Sequence, residues 1–247
     1  MKDHNKQKFK GIFVGFFHQL LQVDLIRYII VRIRYFYFVT IRRRLKTYDL
    51  KSKNIAVNTV SHNLKGITDF AAVRPLALIK PLSVIESLSM DAKILTIGSR
   101  SEGEIFALIG YGFMPKNIRG LDLISYSPWI ELGDMHNMNY EDNSFDVVFL
   151  GWVIAYSRSP EIVAKEVIRV IKPGGIIAIG VEYLGTEMLK HKEKTKYSAG
   201  AGRVTSNVDQ FLKDYKNNIE HIYFSHSIHE DRIDMKGSVL SIFKVKK

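Results

Sequence analysis

The chemistry available to this 247-residue chain concentrates in acids and glycines between Lys93 and Glu182. A short apolar run, Ile94 to Ile97, breaks into the turn Gly98-Ser99-Arg100-Ser101-Glu102-Gly103-Glu104. Glycine there lets the backbone approach a ligand, and a helix opening near Glu104 would turn its N-terminus to the same crevice. Asp122, followed by Leu123, closes the next apolar run. A carboxylate at the end of a strand can accept hydrogen bonds from ribose hydroxyls; standing alone, it serves equally well as a helix cap or loop acid. Asp134 with Met135 sets an acceptor beside an apolar wall, which suits an adenine. Gly151 and Trp152 follow the run Phe145 to Leu150, at a strand's carboxyl end, where open α/β sheets bind ligands. His136 and Tyr156 are the side chains near that crevice able to move a proton. A lone His or Tyr in such loops is more often structural. The histidines are scattered, and no metal-ligand spacing appears.

These residues need a frame. Ile94 to Ile97 is a continuous apolar run, as a strand buried on both faces should be. Ser159-Pro160 opens a helix with Ile162, Val163, Val167, Ile168 and Ile171 on its buried side. Lys172-Pro173-Gly174-Gly175 then turns the chain into the run Ile176 to Ile179, and Asp146 reads as structural. Strand, glycine turn, helix and acid-terminated strand, repeated in order, predict an α/β fold: an open, mostly parallel Rossmann-like sheet with helices on both faces. Residues 219–227 and 238–246 alternate enough to form a closing antiparallel pair, after a last helix over 208–215. Only Leu123 to Gly133 separate Asp122 from Asp134, whereas a parallel crossover normally needs about a dozen residues or more. The sheet is therefore expected to lack its second crossover helix, with Ser125 to Trp129 a bare loop and the third strand short or absent.

With order and spacing assembled, residues 92–182 resemble a class I S-adenosylmethionine-dependent methyltransferase of the small-molecule type. The resemblance rests on Gly98, Asp122, Gly133-Asp134-Met135, Phe145-Asp146-Val147-Val148 and Arg169-Val170-Ile171-Lys172-Pro173-Gly174-Gly175. It implies S-adenosylmethionine as cofactor, with Gly98 at its methionine end, Asp122 at the ribose and Asp134 with Met135 at the adenine, and with Ser99 and Leu123 as further cofactor-binding residues. Gly151 and Trp152 would complete the pocket. Two departures stand out: Thr96 where the family carries an acid, and Arg100 and Glu102 where it carries more glycine. Arg100 could meet the cofactor carboxylate, and Glu102 or Glu104 its ammonium group.

Residues 1–53 hold 13 of the 36 Lys and Arg but 3 of the 25 acids, so most of the net +11 charge sits in an N-terminal arm beside a nearly neutral remainder. The sequence divides into this basic helical arm (1–53), a connecting helical region (54–92) with a helix expected over 81–90, and the cofactor domain (93–247). The absence of cysteine excludes disulfides, thiolate metal sites and a cysteine nucleophile, and fits a cytoplasmic setting. The arm's polar residues, among them Asp24, Arg27, Arg32 and Arg34, leave no apolar run of about 18 residues for a membrane span. Two main readings of the arm remain: a cap packed on the domain, or a basic amphipathic helix on an anionic membrane surface; nucleic acid is the less favoured third. The expected function is methyl transfer to a small-molecule, saccharide or lipid-linked acceptor, with the lysine- and glycine-rich segment 184–207 as a candidate lid. The alternatives are a non-catalytic scaffold that keeps the fold, and a nicotinamide-dependent oxidoreductase. Gly98-x-Arg100-x-x-Gly103 breaks the dinucleotide fingerprint of the latter.

Overall fold

The computed structural model describes residues 15–48, 59–68, 73–157, 159–183, 185 and 207–247. The strands are β1 (Lys46–Thr47), β2 (Ile94–Ile97), β3 (Ile118–Asp122), β4 (Ile124–Ser125), β5 (Ile130–Leu132), β6 (Phe145–Gly151), β7 (Ile171–Tyr183), β8 (Ile219–His226) and β9 (Gly237–Val245). Seven of them form one sheet in the order β5-β3-β2-β6-β7-β9-β8. The strands from β5 to β7 are parallel, while β9 pairs antiparallel with both β7 and β8.

Successive strand side chains point to opposite faces, and each face has its own core. Ile94, Val147, Phe149, Ile176 and Ala178 pack on one side with helices α4 (Val73–Ser83) and α5 (Gly103–Gly110). Leu95, Ile97, Val148, Leu150, Ile177 and Ile179 pack on the other with α6 (Pro160–Val170), whose Val163, Val167 and Val170 are buried. The α/β sheet with a closing antiparallel pair is the one the sequence predicts. Two elements differ. The connecting helix is α4, upstream of the expected 81–90, because Leu76, Leu78, Ile79 and Leu82 supply the three-and-four spacing and are buried. Pro75 sits in its first turn, where its missing N–H costs nothing. The last helix is reduced to α7 (Val208–Phe211) followed by short 3-10 turns. The candidate lid falls outside the described residues, except for Gly185 and Asn207.

The second crossover helix is absent, as its spacing requires, and the third strand is present but short. Its three residues pair Gly120↔Ile130, Leu121↔Glu131 and Asp122↔Leu132. The connection is not wholly bare, since β4 pairs antiparallel with β1 of the arm and Tyr48 N–H donates to the Leu123 carbonyl at 2.8 Å. The arm covers the face that a crossover helix would cover. Its helical residues 15–22 (α1) bury Leu21 against Gly110, and Gln22 Nε2 donates to the Gly110 carbonyl at 2.9 Å. Helix α2 (Asp24–Tyr35) and the π-turn Phe36–Ile41 then bury Arg27, Val31 and Phe38.

Arg34 is the main polar anchor of α2. Its guanidinium donates twice to Glu102, from Nε at 2.7 Å and Nη2 at 2.9 Å, and it lies over the rings of Phe38, Phe106 and Trp129 at 5.1–5.6 Å. Tyr35 meets Tyr126 edge to face, and the Tyr126 hydroxyl accepts the Glu102 N–H at 3.2 Å. An N-terminal helix has thus taken the place of a missing internal one.

Candidate functional site

The carboxyl ends of β2, β3, β5 and β6 converge on one edge of the sheet, as the parallel pairings require. Gly98 turns the chain away from β2 at φ +82°, and its N–H holds the end of β3 through the Leu121 carbonyl at 2.8 Å. A Cβ at Gly98 would meet Val153 Cγ2 at 2.6 Å, so glycine is required by both conformation and space. Beyond β6, Trp152 adopts φ +58°, a left-handed conformation costly for a bulky side chain. Its indole Nε1 is buried without a hydrogen-bond partner.

Asp122 is 4 % exposed. One carboxylate oxygen, Oδ1, accepts from the Ile124 N–H at 3.0 Å and from Asn63 Nδ2 of α3 (Thr59–Gly66) at 3.2 Å. The other, Oδ2, is buried with no partner. Burial raises the Asp122 carboxyl pKa to about 6, against the pull of those donors and of the nearby Arg100 charge.

Thr96 stands where the resemblance calls for an acid, and the structure supplies one from elsewhere. Thr96 Oγ1 lies 2.7 Å from Ser99 Oγ, which donates in turn to Glu104 Oε1 at 3.1 Å. Glu104 lies in the first turn of α5, and its Oε2 would be 2.9 Å from a Cβ at Gly151, so the carboxyl bridges the ends of β2 and β6. Burial pushes its pKa up to about 8, and the Asp122 charge adds to the rise. A carboxyl whose folded pKa is raised contributes stability that is full below its unfolded value, about 4.5, and lost as the pH climbs through about 8. Thermal melts of the ligand-free protein should therefore fall between pH 5 and pH 8. Glu104→Gln should flatten that fall and melt several degrees above the wild type at pH 8; an unchanged slope would dismiss Glu104 as its source.

One sequence expectation changes here. Glu102 is fully buried and its carboxylate is committed to Arg34, away from the crevice, because the arm covers that side of the loop. His136 is 6 % exposed with both ring nitrogens engaged: Nδ1 lies 2.6 Å from Asp134 Oδ1 and Nε2 lies 2.7 Å from Ser157 Oγ. The ring thus joins Asp134 to Ser157 in the loop after β6 as a carboxylate–imidazole–hydroxyl chain. Asp134 Oδ1 also accepts the His136 N–H at 2.9 Å. Met135 is buried, and Asp146 is structural, accepting from Lys93 N–H and Lys172 Nζ.

Tyr156 stays partly exposed, its hydroxyl 3.0 Å from His62 Nε2 of α3, and burial raises its pKa while the Arg100 charge opposes the rise. Arg100 thus sits between the Asp122 and Tyr156 sides of the crevice. A cavity of about 400 Å³ opens beside Leu121, Leu132, Gly133 and Asp134 and is walled by Tyr48 from the arm. Sequence reasoning missed Tyr48, His62 and Asn63. They lie before β2, the first strand of the seven-stranded sheet, and carry no motif, so only the fold delivers them.

The sheet order and single reversed strand are those of the class I methyltransferase fold. A methyltransferase-domain family model matches residues 114–179. A protein assigned as a methyltransferase, in complex with the Haloferax volcanii Trm112 methyltransferase activator, aligns with TM-score 0.55 at 16% identity, covering 76% of this chain and 94% of that one. A protein assigned as an S-adenosyl-L-methionine-dependent methyltransferase from Methanococcus maripaludis aligns with TM-score 0.50 at 19% identity, covering 82% and 98%. The CurJ carbon methyltransferase aligns with TM-score 0.51 at 12% identity, covering 76% and 58%. No curated protein matches the sequence. At these identities the solved structures speak for the fold, and the site must speak for the chemistry.

Proposed function

We propose that this chain is an S-adenosylmethionine-dependent methyltransferase acting on a small-molecule, saccharide or lipid-linked acceptor. The observation that carries the reading is Asp122 Oδ2, a buried acceptor without a partner at the end of β3. Orphaned buried acceptors are costly, and a ribose hydroxyl is the donor this one suits. The remaining residues fit the same ligand. Leu123, Asp134 and Met135 lie toward the adenine, and the cavity beside Tyr48 gives that ring room. Gly98 and Ser99 line the methionine end. Glu104, relieved of Glu102's competition by Arg34, is the carboxylate for the cofactor ammonium, and Arg100 is the cation for its carboxylate. Arrival of an ammonium beside Glu104 would draw its raised pKa down and ionise it.

The bound cofactor supplies a methyl group on a sulfonium, which leaves by in-line displacement. The chain's part is mainly placement. Gly151 and the strained Trp152 border the acceptor side, where the unpartnered indole N–H can hold an acceptor oxygen. Tyr156, hydrogen-bonded to His62, is the group placed to receive a proton from an acceptor hydroxyl, with His62 taking the tyrosine proton.

Titration calorimetry with S-adenosylmethionine and with NADH tests this directly. Micromolar binding of the first and none of the second is expected. Binding of NADH instead would establish the oxidoreductase alternative, and binding of neither by folded protein would establish a scaffold.

A further inference from the structure

Helix α2 buries apolar side chains beside two arginines on one side and exposes apolar side chains on the other. At about 100° per residue, Leu25, Ile29, Arg32, Ile33 and Phe36 fall within an arc of about 100°, opposite Arg27, Val31, Arg34 and Phe38. The first arc faces outward: Leu25 is 60% exposed, Ile29 48%, Ile33 63% and Phe36 57%, and Ile41 in the following turn is 60% exposed. Phe16 and Phe17 of α1 are exposed as well. A cap needs only one apolar face, so the second requires its own explanation.

The charges around it choose the occupant. Arg32, Arg42, Arg43, Arg44 and Lys46 are exposed along this stretch. The acid of α2, Asp24, is paired with Arg27. The arm's sequence before α1, residues 1–14, adds Lys2, Lys6, Lys8 and Lys10 against Asp3. A second copy of the same surface would bring cations against cations. An apolar stripe flanked by arginines and free of unpaired acid on the described helix complements an anionic bilayer, with the stripe at the acyl boundary and the arginines at the headgroups. No helix among the described residues is long and apolar enough to cross a membrane.

We infer that the outer face of the arm docks the protein on an anionic membrane surface, while its inner face completes the fold. The inference is independent of methyl transfer and has a consequence for it. Tyr48 at the cavity wall lies four positions after Arg44, at most about 14 Å of extended chain. Docking therefore holds the cofactor crevice close to the headgroups, within reach of a membrane-resident acceptor.

The test is flotation of the full chain with vesicles of phosphatidylcholine alone and of phosphatidylcholine with phosphatidylglycerol. Binding to the anionic vesicles, weakening as salt rises, is expected. Replacing Arg42, Arg43 and Arg44 together by Ala should weaken it on the order of a hundredfold. Ile29→Glu/Ile33→Glu should abolish it with an unchanged melting temperature, because both side chains already face water. Equal binding to neutral vesicles would overturn the electrostatic choice. A dimer that the Glu variant disrupts, without vesicle binding, would assign the face to a second copy. Stoichiometric binding of an acidic protein with no vesicle binding would assign it to a protein partner.

Discussion

Asp122→Ala is expected to lower S-adenosylmethionine affinity at least a hundredfold in calorimetry while the circular dichroism spectrum stays native. A hydrogen bond to a charged group contributes about 1.5–3 kcal/mol, and an Asp122 carboxylate that accepts from a ribose would lose more than one such bond. The fold should tolerate the change because the ligand-free carboxylate is already poorly served, with Oδ2 buried and unpaired. Its raised pKa of about 6 adds a signature. The ionised form is the better acceptor, so wild-type affinity should climb through about pH 6, and go on climbing toward pH 8 as Glu104 ionises. The stability sign is opposite: a raised carboxyl pKa means stability lost as pH rises through about 6, so binding tightens where the empty protein weakens. Asp122→Asn keeps the shape and should lose the step near pH 6 together with most of the affinity, while the Glu104 rise toward pH 8 stays. Unchanged affinity in the Ala variant would remove the ribose assignment.

Arg34→Ala is expected to destabilise the protein by about 3 kcal/mol in denaturant titration, the low end for one partner removed from a buried ion pair because the guanidinium itself is 32% exposed. What remains in the variant is Glu102, fully buried with its carboxylate unpaired, beside aromatic rings that have lost the guanidinium stacked on them. Arg34→Met/Glu102→Gln removes the charge problem and should recover most of the loss. If the double variant is as unstable as the single, stacking rather than charge holds the arm. The link to function lies in position, since Glu102 immediately precedes α5 and Glu104 sits in that helix's first turn. An arm that lets go would free Glu102 toward the crevice and loosen Glu104, the carboxylate proposed for the cofactor ammonium.

The two sides of the site were legible to different degrees. The places of Asp122, Gly98 and the Lys-Pro-Gly-Gly turn at or between strand ends could be read because buried parallel strands are continuous apolar runs, and whatever interrupts them marks their ends. The choice between Glu102 and Glu104 could not be read. The two acids lie in the same turn, and what separates them is Arg34, distant in sequence and brought in by packing. His136 can be placed beside Asp134 from the sequence, but its bond to Ser157 beyond β6 is a contact that no local pattern announces. Tyr48, His62 and Asn63 were invisible for the same reason.

What the sequence determined by itself is the sheet and its irregularity. Hydrophobic runs set the strands, glycines and acids set their ends, and the short spacing from Asp122 to Asp134 ruled out a crossover helix, since chain length is a hard geometric limit. Tertiary structure decided what fills the gap. The arm is apolar on both faces, so its periodicity does not say which face turns inward. The buried carboxylate of Glu102 and the rings of Phe106 and Trp129 do, because they attract the one side that carries Arg34.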